Sequence, residues 1–370
     1  MGRELQVTVR AGRGPFPSPA APPHARLLPS ASGIPMGDLI DISAAAAASP
    51  PRRVRTPRTR RLSDRTADRL FLGLTGGAAY LVLIVLVGAA LSMAWGGRLA
   101  FKTFGWSFFT STQWDAVAHQ FSALVPVWGT IVTSLIAIVI AVPVSLGIGI
   151  FLTELAPPWL RQPVGTAIEL LAAIPSIVYG MWGLFVFVPF MAAHIQPWLI
   201  DHLGTMPVIG PLFEGAPIGL GMLTAGIILA IMIIPFITAV MRDVFLATPS
   251  VLKESAYALG ATRWEVIKDI VLPNSRNAVV GAIFLGLGRA LGETMAVTFV
   301  LGNAHEFKWS LMEPGNSIAA AIANEFTEAD SDIYLSSLIA LGFILFVLTF
   351  VILALARLLL RATRRAGSEA

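Results

Sequence analysis

The stretch PSVLKESAYALGATRWEVIKDIVLP, Pro249 to Pro273, is a polar island between two long apolar runs. Ser250 is placed to cap a short helix whose apolar side is Leu252, Ala256 and Leu259. Gly260 stands where a helix commonly ends in a left-handed residue, a conformation glycine adopts without a Cβ clash. Thr262 and Glu265 have the spacing of a capping box, so a second helix starts at once. Its apolar stripe is Val266, Ile267, Ile270 and Val271, and Pro273 is expected to close it. The segment 250–273 therefore reads as a helix-turn-helix held outside a bilayer by a span on each side. Such an element is a docking surface, and whatever binds it moves the flanking helices. Lys253, Arg263 and Lys268 are balanced by Glu254, Glu265 and Asp269. That balance, with a tether at both ends, argues against a helix that reads a nucleic-acid groove.

Outward from the island the chain is apolar. Of its 370 residues 55% are hydrophobic and 13% charged, against about 25% charged in an ordinary soluble domain. The apolar residues fall in long runs, the signature of a protein that crosses a membrane several times. The expected spans are 70–95, 127–152, 164–190, 218–240, 278–301 and 334–360. Pro175 lies inside the third and is expected to kink it within a packed bundle. No cysteine is present, which removes disulfide and thiolate chemistry, and five scattered histidines give no metal-ligand pattern.

Residues 1–66 are rich in Pro, Ala, Ser and Arg and read as a disordered tail. Its basic part, PPRRVRTPRTRRLSDR (Pro50 to Arg65), reads as a cytoplasmic orientation signal beside the first span. An arm for anionic lipid or nucleic acid is the alternative. Met36 is a second possible start. Lys and Arg gather before the first span, in the 2–3 loop, around the island and after the sixth span at Arg357, Arg361, Arg364 and Arg365. The 3–4 loop carries Asp201 and Glu214. The 5–6 loop carries Glu306, Glu313, Glu325, Glu328, Asp330 and Asp332 against Lys308 and reads as a solvated acidic face. By the positive-inside rule both termini and the island are cytoplasmic, in agreement with an even number of spans.

The fifth expected span holds Arg289 and Glu293, spaced i, i+4, so that one helix face would carry both and let them pair. Arg289 lies about 18 Å in from the cytoplasmic end at about 1.5 Å per residue, near the middle of a bilayer. Charge there is costly and normally faces a bundle interior or a wet path. One reading is a structural ion pair. The other is an anion path in which Arg289 meets the substrate and Glu293 positions or releases it. Two rows of small residues, Ala282–Gly286–Ala290 and Gly288–Gly292–Ala296, allow close helix packing. Glu154 and Glu169 read as polar groups at span ends, with a gate role as the alternative, and Tyr179 and Trp182 read as packing.

The island resembles the "EAA" loop of ABC importer permeases: Glu254, then Ser255 in place of the first alanine, Ala256 retained, and Gly260 at the family spacing. GRALGETMAVTFVLGN (Gly288 to Asn303), ELLAAIPSIVYGMWGLFVF (Glu169 to Phe187) and FGWSFFTSTQW (Phe104 to Trp114) narrow the resemblance to the permeases of phosphate-specific importers, over residues 66–362. The resemblance implies an all-α, six-span bundle of the type I importer (MetI-like) class, not itself an enzyme. It makes 250–273 the coupling loop that docks on a cytoplasmic ATPase, with Glu254, Ala256, Leu259 and Gly260 at the contact. It assigns phosphate passage to Arg289 and Glu293; the helix-packing role of Gly288, Gly292 and Pro175 is read from the residues themselves. It also implies a sister permease of the PstA type, two ATPase copies of the PstB type and an outer phosphate-binding protein of the PstS type. This chain has no GxxxxGK[ST] phosphate loop, so ATP and Mg²⁺ are expected on the partner ATPase and no cofactor or metal on this chain. Alternatives are a permease for sulfate or molybdate, the PstA-type sister itself, a proton-coupled secondary transporter using Arg289 and Glu293, or a membrane sensor. The secondary transporter should show an internal repeat, and none is visible.

Overall fold

The computed structural model describes residues 62–366, with side chains over 66–358. The expectations for the basic tail, for Met36 and for the side chains of Arg361, Arg364 and Arg365 lie outside them. Among the described residues the chain is helical, with two isolated β-bridges and no strand. Six helices are long and apolar enough to cross a membrane: Thr66–Gly96, Leu124–Leu155, Ser176–Leu203, Met222–Leu246, Arg263–Leu291 and Asp332–Leu358. By contact the chain divides into two compact units, Met1–Leu74 and Thr75–Ala370. Of the first unit, the described residues are the opening turns of the first span.

In the second unit the fourth span is the axis of the core. The most apolar stretch of Met222–Leu246 is 61% buried, against 28% or less in the other spans. Ile228, Leu229, Ile233, Ile237, Met241 and Phe245 are sealed, and residues of the second, third and fifth spans pack around them. Small residues set the approach. A Cβ on Gly226 would stand 2.6 Å from Ile136, and one on Gly286 would stand 2.5 Å from Ile237. Ser145 Oγ donates to the Ile234 carbonyl at 3.2 Å, a polar tie between the second and fourth spans. Other spans expose broad apolar faces, such as Leu81 to Leu86 and Phe350 to Leu358, as expected where lipid or a partner supplies the cover.

The third span runs on to Leu203, so Asp201, expected in the 3–4 loop, is helical; three further boundaries differ from the expectation, each at a proline or glycine. The third span begins at Ser176, because Pro175 is extended (φ −58°, ψ 137°) and breaks the helix instead of kinking it. The residues before it form a separate helix, Pro158–Ala172, and the Tyr179 hydroxyl closes the break by donating to the Leu171 carbonyl at 3.0 Å. In the fifth span Pro273 does not end the preceding helix. A π-helical turn at Ile267–Val271 leads directly into Leu272–Leu291. The wider turn accommodates a residue that lacks an N–H. The fifth span instead ends at Leu291, and a short helix, Met295–Leu301, follows a break at Gly292.

The 5–6 loop is not a solvated face throughout. Asn316 to Ala321 are buried, and Ile318–Glu325 is a helix capped by Ser317, whose Oγ accepts from Ala320 N. This helix lies between the second and sixth spans. Ile318 N donates to Thr130 Oγ1 at 3.0 Å. Beneath it a second apolar cluster joins Phe108, Phe121, Ile318, Tyr334 and Leu341.

Candidate functional site

The island folds as Ser250–Ala258 and Arg263–Val266, with the turn between them built as the spacing predicts. Gly260 is left-handed at φ 88°. Its N–H reaches the Tyr257 carbonyl at 3.0 Å, and Ala261 N–H reaches Ala256 O at 3.0 Å. These two bonds form a Schellman motif and satisfy carbonyls that the helix end would leave open. Thr262 and Glu265 make the reciprocal capping box, with Thr262 N donating to Glu265 Oε2 at 2.7 Å. Ser250, however, caps nothing. It is the first residue inside the helix, and Pro249 occupies the cap position without a side-chain bond.

The first island helix has two faces. Lys253 and Ala256 are partly buried, and every other residue from Val251 to Gly260 is exposed. Glu254 lies on the open side, and Leu259 is 90% exposed. Trp264, Tyr257 and Leu252 extend this apolar, exposed surface. Isolated apolar residues on a surface are ordinary, but several on two adjoining short helices make a candidate interaction site. Behind it, Lys253 Nζ meets Glu154 Oε1 at 2.6 Å. Thr248 and Ser275, both buried, meet hydroxyl to hydroxyl at 3.2 Å and tie the two ends of the segment together.

The fifth span separates the two charges that the i, i+4 spacing would put on one face. Arg289 is in the last turn of Leu272–Leu291, and Glu293 lies in the break. Gly292 lets the chain leave the helix there, and Glu293 turns its carboxylate forward to accept Ala296 N–H at 3.3 Å. Among the described residues neither charge forms an ion pair. The Arg289 guanidinium instead stands over the Phe236 ring, 5.3 Å from its centre. Phe236 lies just past the middle of Met222–Leu246, so Arg289 is deep between the two ends of the bundle. Its Nε is buried and has no hydrogen-bond acceptor among the described residues. A strong donor left open at that depth favours an incoming anion.

Of the two small-residue rows, Ala282–Gly286–Ala290 is buried against the core. Gly292 is exposed at the break, and a Cβ on Gly288 would meet only Leu353, at 3.8 Å. Close packing beside the break comes instead from Gly180, where a Cβ would stand 3.0 Å from Ala296 Cα. Among the described residues no group of acidic, histidine or cysteine side chains is arranged to hold a metal ion.

On the side opposite the island, three residues converge on Glu325. Its carboxylate accepts from Tyr334 Oη at 2.6 Å, His305 Nε2 at 2.7 Å and Trp114 Nε1 at 2.8 Å. The His305 ring stacks on Trp114 at 4.9 Å. Burial alone would raise the Glu325 pKa, but the bonds from His305 and Tyr334 outweigh it and hold the carboxyl below the ordinary carboxylate range. Sequence reasoning did not single out this cluster, the Lys253–Glu154 pair or Phe236. Each joins residues remote in the chain, and no local periodicity marks them.

Residues 145–365 match the family of binding-protein-dependent transport system inner membrane components. The phosphate transport system permease protein PstC of Xylella fastidiosa (strain Temecula1) is 60% identical over 319 residues, covering 86% of this chain and 98% of that protein. The PstC of Pasteurella multocida (strain Pm70) is 56% identical, over 86% of this chain and 99% of its own length. A chain of the bacterial alginate ABC transporter, solved in complex with an alginate pentasaccharide-bound periplasmic protein, aligns with a TM-score of 0.52. That alignment covers 80% of this chain and 96% of that one at 19% identity. It speaks for the fold alone.

Proposed function

Because the chain belongs to the binding-protein-dependent inner membrane components, and among them to the PstC phosphate transport permeases, we infer how its parts divide the work of importing phosphate. It is the membrane-spanning permease subunit of an ATP-driven phosphate importer. The island is its motor contact: Glu254, Leu259 and the turn at Gly260 dock on a separate ATPase, PstB-like and present in two copies, which binds Mg²⁺–ATP. A PstA-like sister permease covers the open apolar faces. A PstS-like protein delivers phosphate at the opposite side, where the helix Ile318–Glu325 lies. The island side and both termini are cytoplasmic, in line with the charge distribution of the sequence.

Arg289 is the anion contact of the path, and Glu293, beside it at the helix break, positions or releases the ion. The observation that carries this reading is the deep guanidinium that, among the described residues, has no carboxylate partner and an open Nε. A structural ion pair would have filled it. ATP binding closes the ATPase pair, the coupling helices move together, and the bundle opens outward to receive phosphate; hydrolysis resets it. A sulfate or molybdate path would use the same guanidinium chemistry, but the PstC relatives favour phosphate.

The test is phosphate uptake by the reconstituted importer carrying Arg289→Gln or, separately, Glu254→Lys. Arg289→Gln is expected to lower uptake by roughly 30-fold or more while the complex still assembles. Glu254→Lys is expected to weaken ATPase association or to release hydrolysis from transport. Normal uptake in both variants overturns the assignment.

A further inference from the structure

Glu154 and Lys253 are 99 residues apart, yet their side chains meet as an ion pair at 2.6 Å. Both are shielded: 8% of the Glu154 side chain and 18% of the Lys253 side chain are exposed. We propose that this pair is the strut through which the coupling helix drives the second span, and that Lys253 and Glu154 are positioning residues for transport. The proposal rests on the reading of Ser250–Ala258 as the ATPase contact.

The geometry on both sides suits a strut. On the helix Ser250–Ala258, Lys253 is the charged residue that turns inward, while Glu254 faces out. On the same inward side of this helix, Ala256 packs against the core. On the other side, Glu154 sits in a π-helical turn, Phe151–Leu155, at the foot of the second span. Ala156 N–H closes that turn on the Phe151 carbonyl at 2.7 Å. Pro157 and Pro158 follow, and Arg161 Nε donates to the Ala156 carbonyl at 2.7 Å. Two prolines and a side-chain bond leave the foot of the span little freedom to give way.

The load has somewhere to go. The second span is keyed into the fourth at Gly226 against Ile136, at Ser145 against Ile234, and at Gly149 against Phe245. The fourth span carries Phe236, on which the Arg289 guanidinium rests. A push on the coupling helix therefore reaches the substrate path through Lys253, Glu154, the second span and the fourth, in parallel with the covalent link into the fifth. Removing one member of a shielded pair leaves the other charge unmatched, whereas exchanging the two charges preserves the contact.

The test uses the complete importer in proteoliposomes and measures phosphate moved per ATP hydrolysed. The variants are Lys253→Met, Glu154→Gln, the exchange Glu154→Lys with Lys253→Glu, and Leu259→Asp on the docking face. Each single change in the pair is expected to lower the ratio about tenfold with the ATPase still bound, and the exchange to bring it back within about twofold. Single variants with the parental ratio, or an exchange no better than the singles, overturn the strut. If the singles do not assemble, the exchange decides alone: a near-parental ratio supports the strut, and a low ratio or failed assembly overturns it. Leu259→Asp separates the two layers. If it strips the ATPase while the singles transport normally, only the strut falls. If it leaves ATPase binding intact, the docking assignment falls and takes the strut with it.

Discussion

Arg289 rests its guanidinium 5.3 Å from the centre of the Phe236 ring, and Glu293, four residues on, has turned away to cap the next helix. The cation is therefore held by a π-face and not by a carboxylate. A ring attracts a cation by about 0.5–2 kcal/mol, far less than a buried ion pair, and does not neutralise it. Arg289 is thereby positioned without being consumed.

From this arrangement Arg289→Lys should be much weaker than the parent, because a point charge on a flexible stem does not reproduce a planar fork. A loss of at least about 2 kcal/mol, roughly 30-fold in uptake, is expected for Arg289→Gln. Phe236→Leu should cost only a few-fold, in proportion to the cation–π attraction. Initial rates of phosphate uptake in proteoliposomes give all three. Equal losses for Phe236→Leu and Arg289→Gln would mean that the ring, not the charge, is what transport needs.

The turn of the polar island, proposed above as the ATPase contact, offers a cleaner measurement. Gly260 is at φ 88°, and a Cβ added there would meet nothing within 4 Å. Any effect of Gly260→Ala is therefore backbone strain, about 1–2 kcal/mol for a left-handed residue. Gly260→Asn should cost less, since asparagine tolerates that conformation. The expected result is weaker retention of the ATPase, in the order Gly, Asn, Ala, in pull-down from detergent. Identical retention by all three would remove the turn from the docking surface.

How much of this is legible in the sequence follows from the range of each interaction. The capping box, the left-handed glycine and six apolar helices are local or periodic features, and their residues announce them. The breaks at Pro175 and Gly292 are visible as residues but not as outcomes. A proline in a membrane helix either kinks it or ends it; here it ends it, and Tyr179 reaches back to Leu171 across the break. Arg289 and Glu293 have the spacing of a pair, yet the glycine between them ends the helix. The buried half of the 5–6 loop is hidden because Asn316 and Ser317 are polar by composition, and their burial depends on partners far along the chain, such as Thr130.

That loop gives a packing prediction. Gly129 lies against it, and a Cβ there would stand 2.0 Å from the Asn316 carbonyl oxygen, a backbone atom that cannot rotate away. Gly129→Ala should lower stability by about 1–3 kcal/mol through overpacking. Gly147→Ala, in the same span with nothing within 4 Å of the added atom, should be neutral or slightly stabilising. Thermal unfolding of the detergent-purified chain compares them. A Gly129→Ala protein as stable as Gly147→Ala would show that the loop is not seated on the second span.

The Glu325 cluster predicts an acid dependence of defined sign. Its carboxyl is held below the ordinary range by His305, Tyr334 and Trp114 despite burial. A group whose folded-state pKa is lowered contributes stability that is complete above its unfolded value, about 4.3 for Glu, and is lost as pH falls through the folded value. Acidification below about 4.3 should thus weaken the tie between Trp114, the loop helix Ile318–Glu325 and the sixth span. Other carboxylates lie in this region, including Glu328, whose charge acts on Tyr334, so the informative quantity is a difference. Glu325→Gln keeps an acceptor but has no carboxyl to titrate, and it should cost about 1–3 kcal/mol at neutral pH as charge-assisted bonds are lost. The gap in melting temperature between parent and variant should then narrow as pH drops, because the parent loses what the variant never had. A gap that stays constant from neutral pH to below about 4 would show that the carboxylate charge does not hold this corner together.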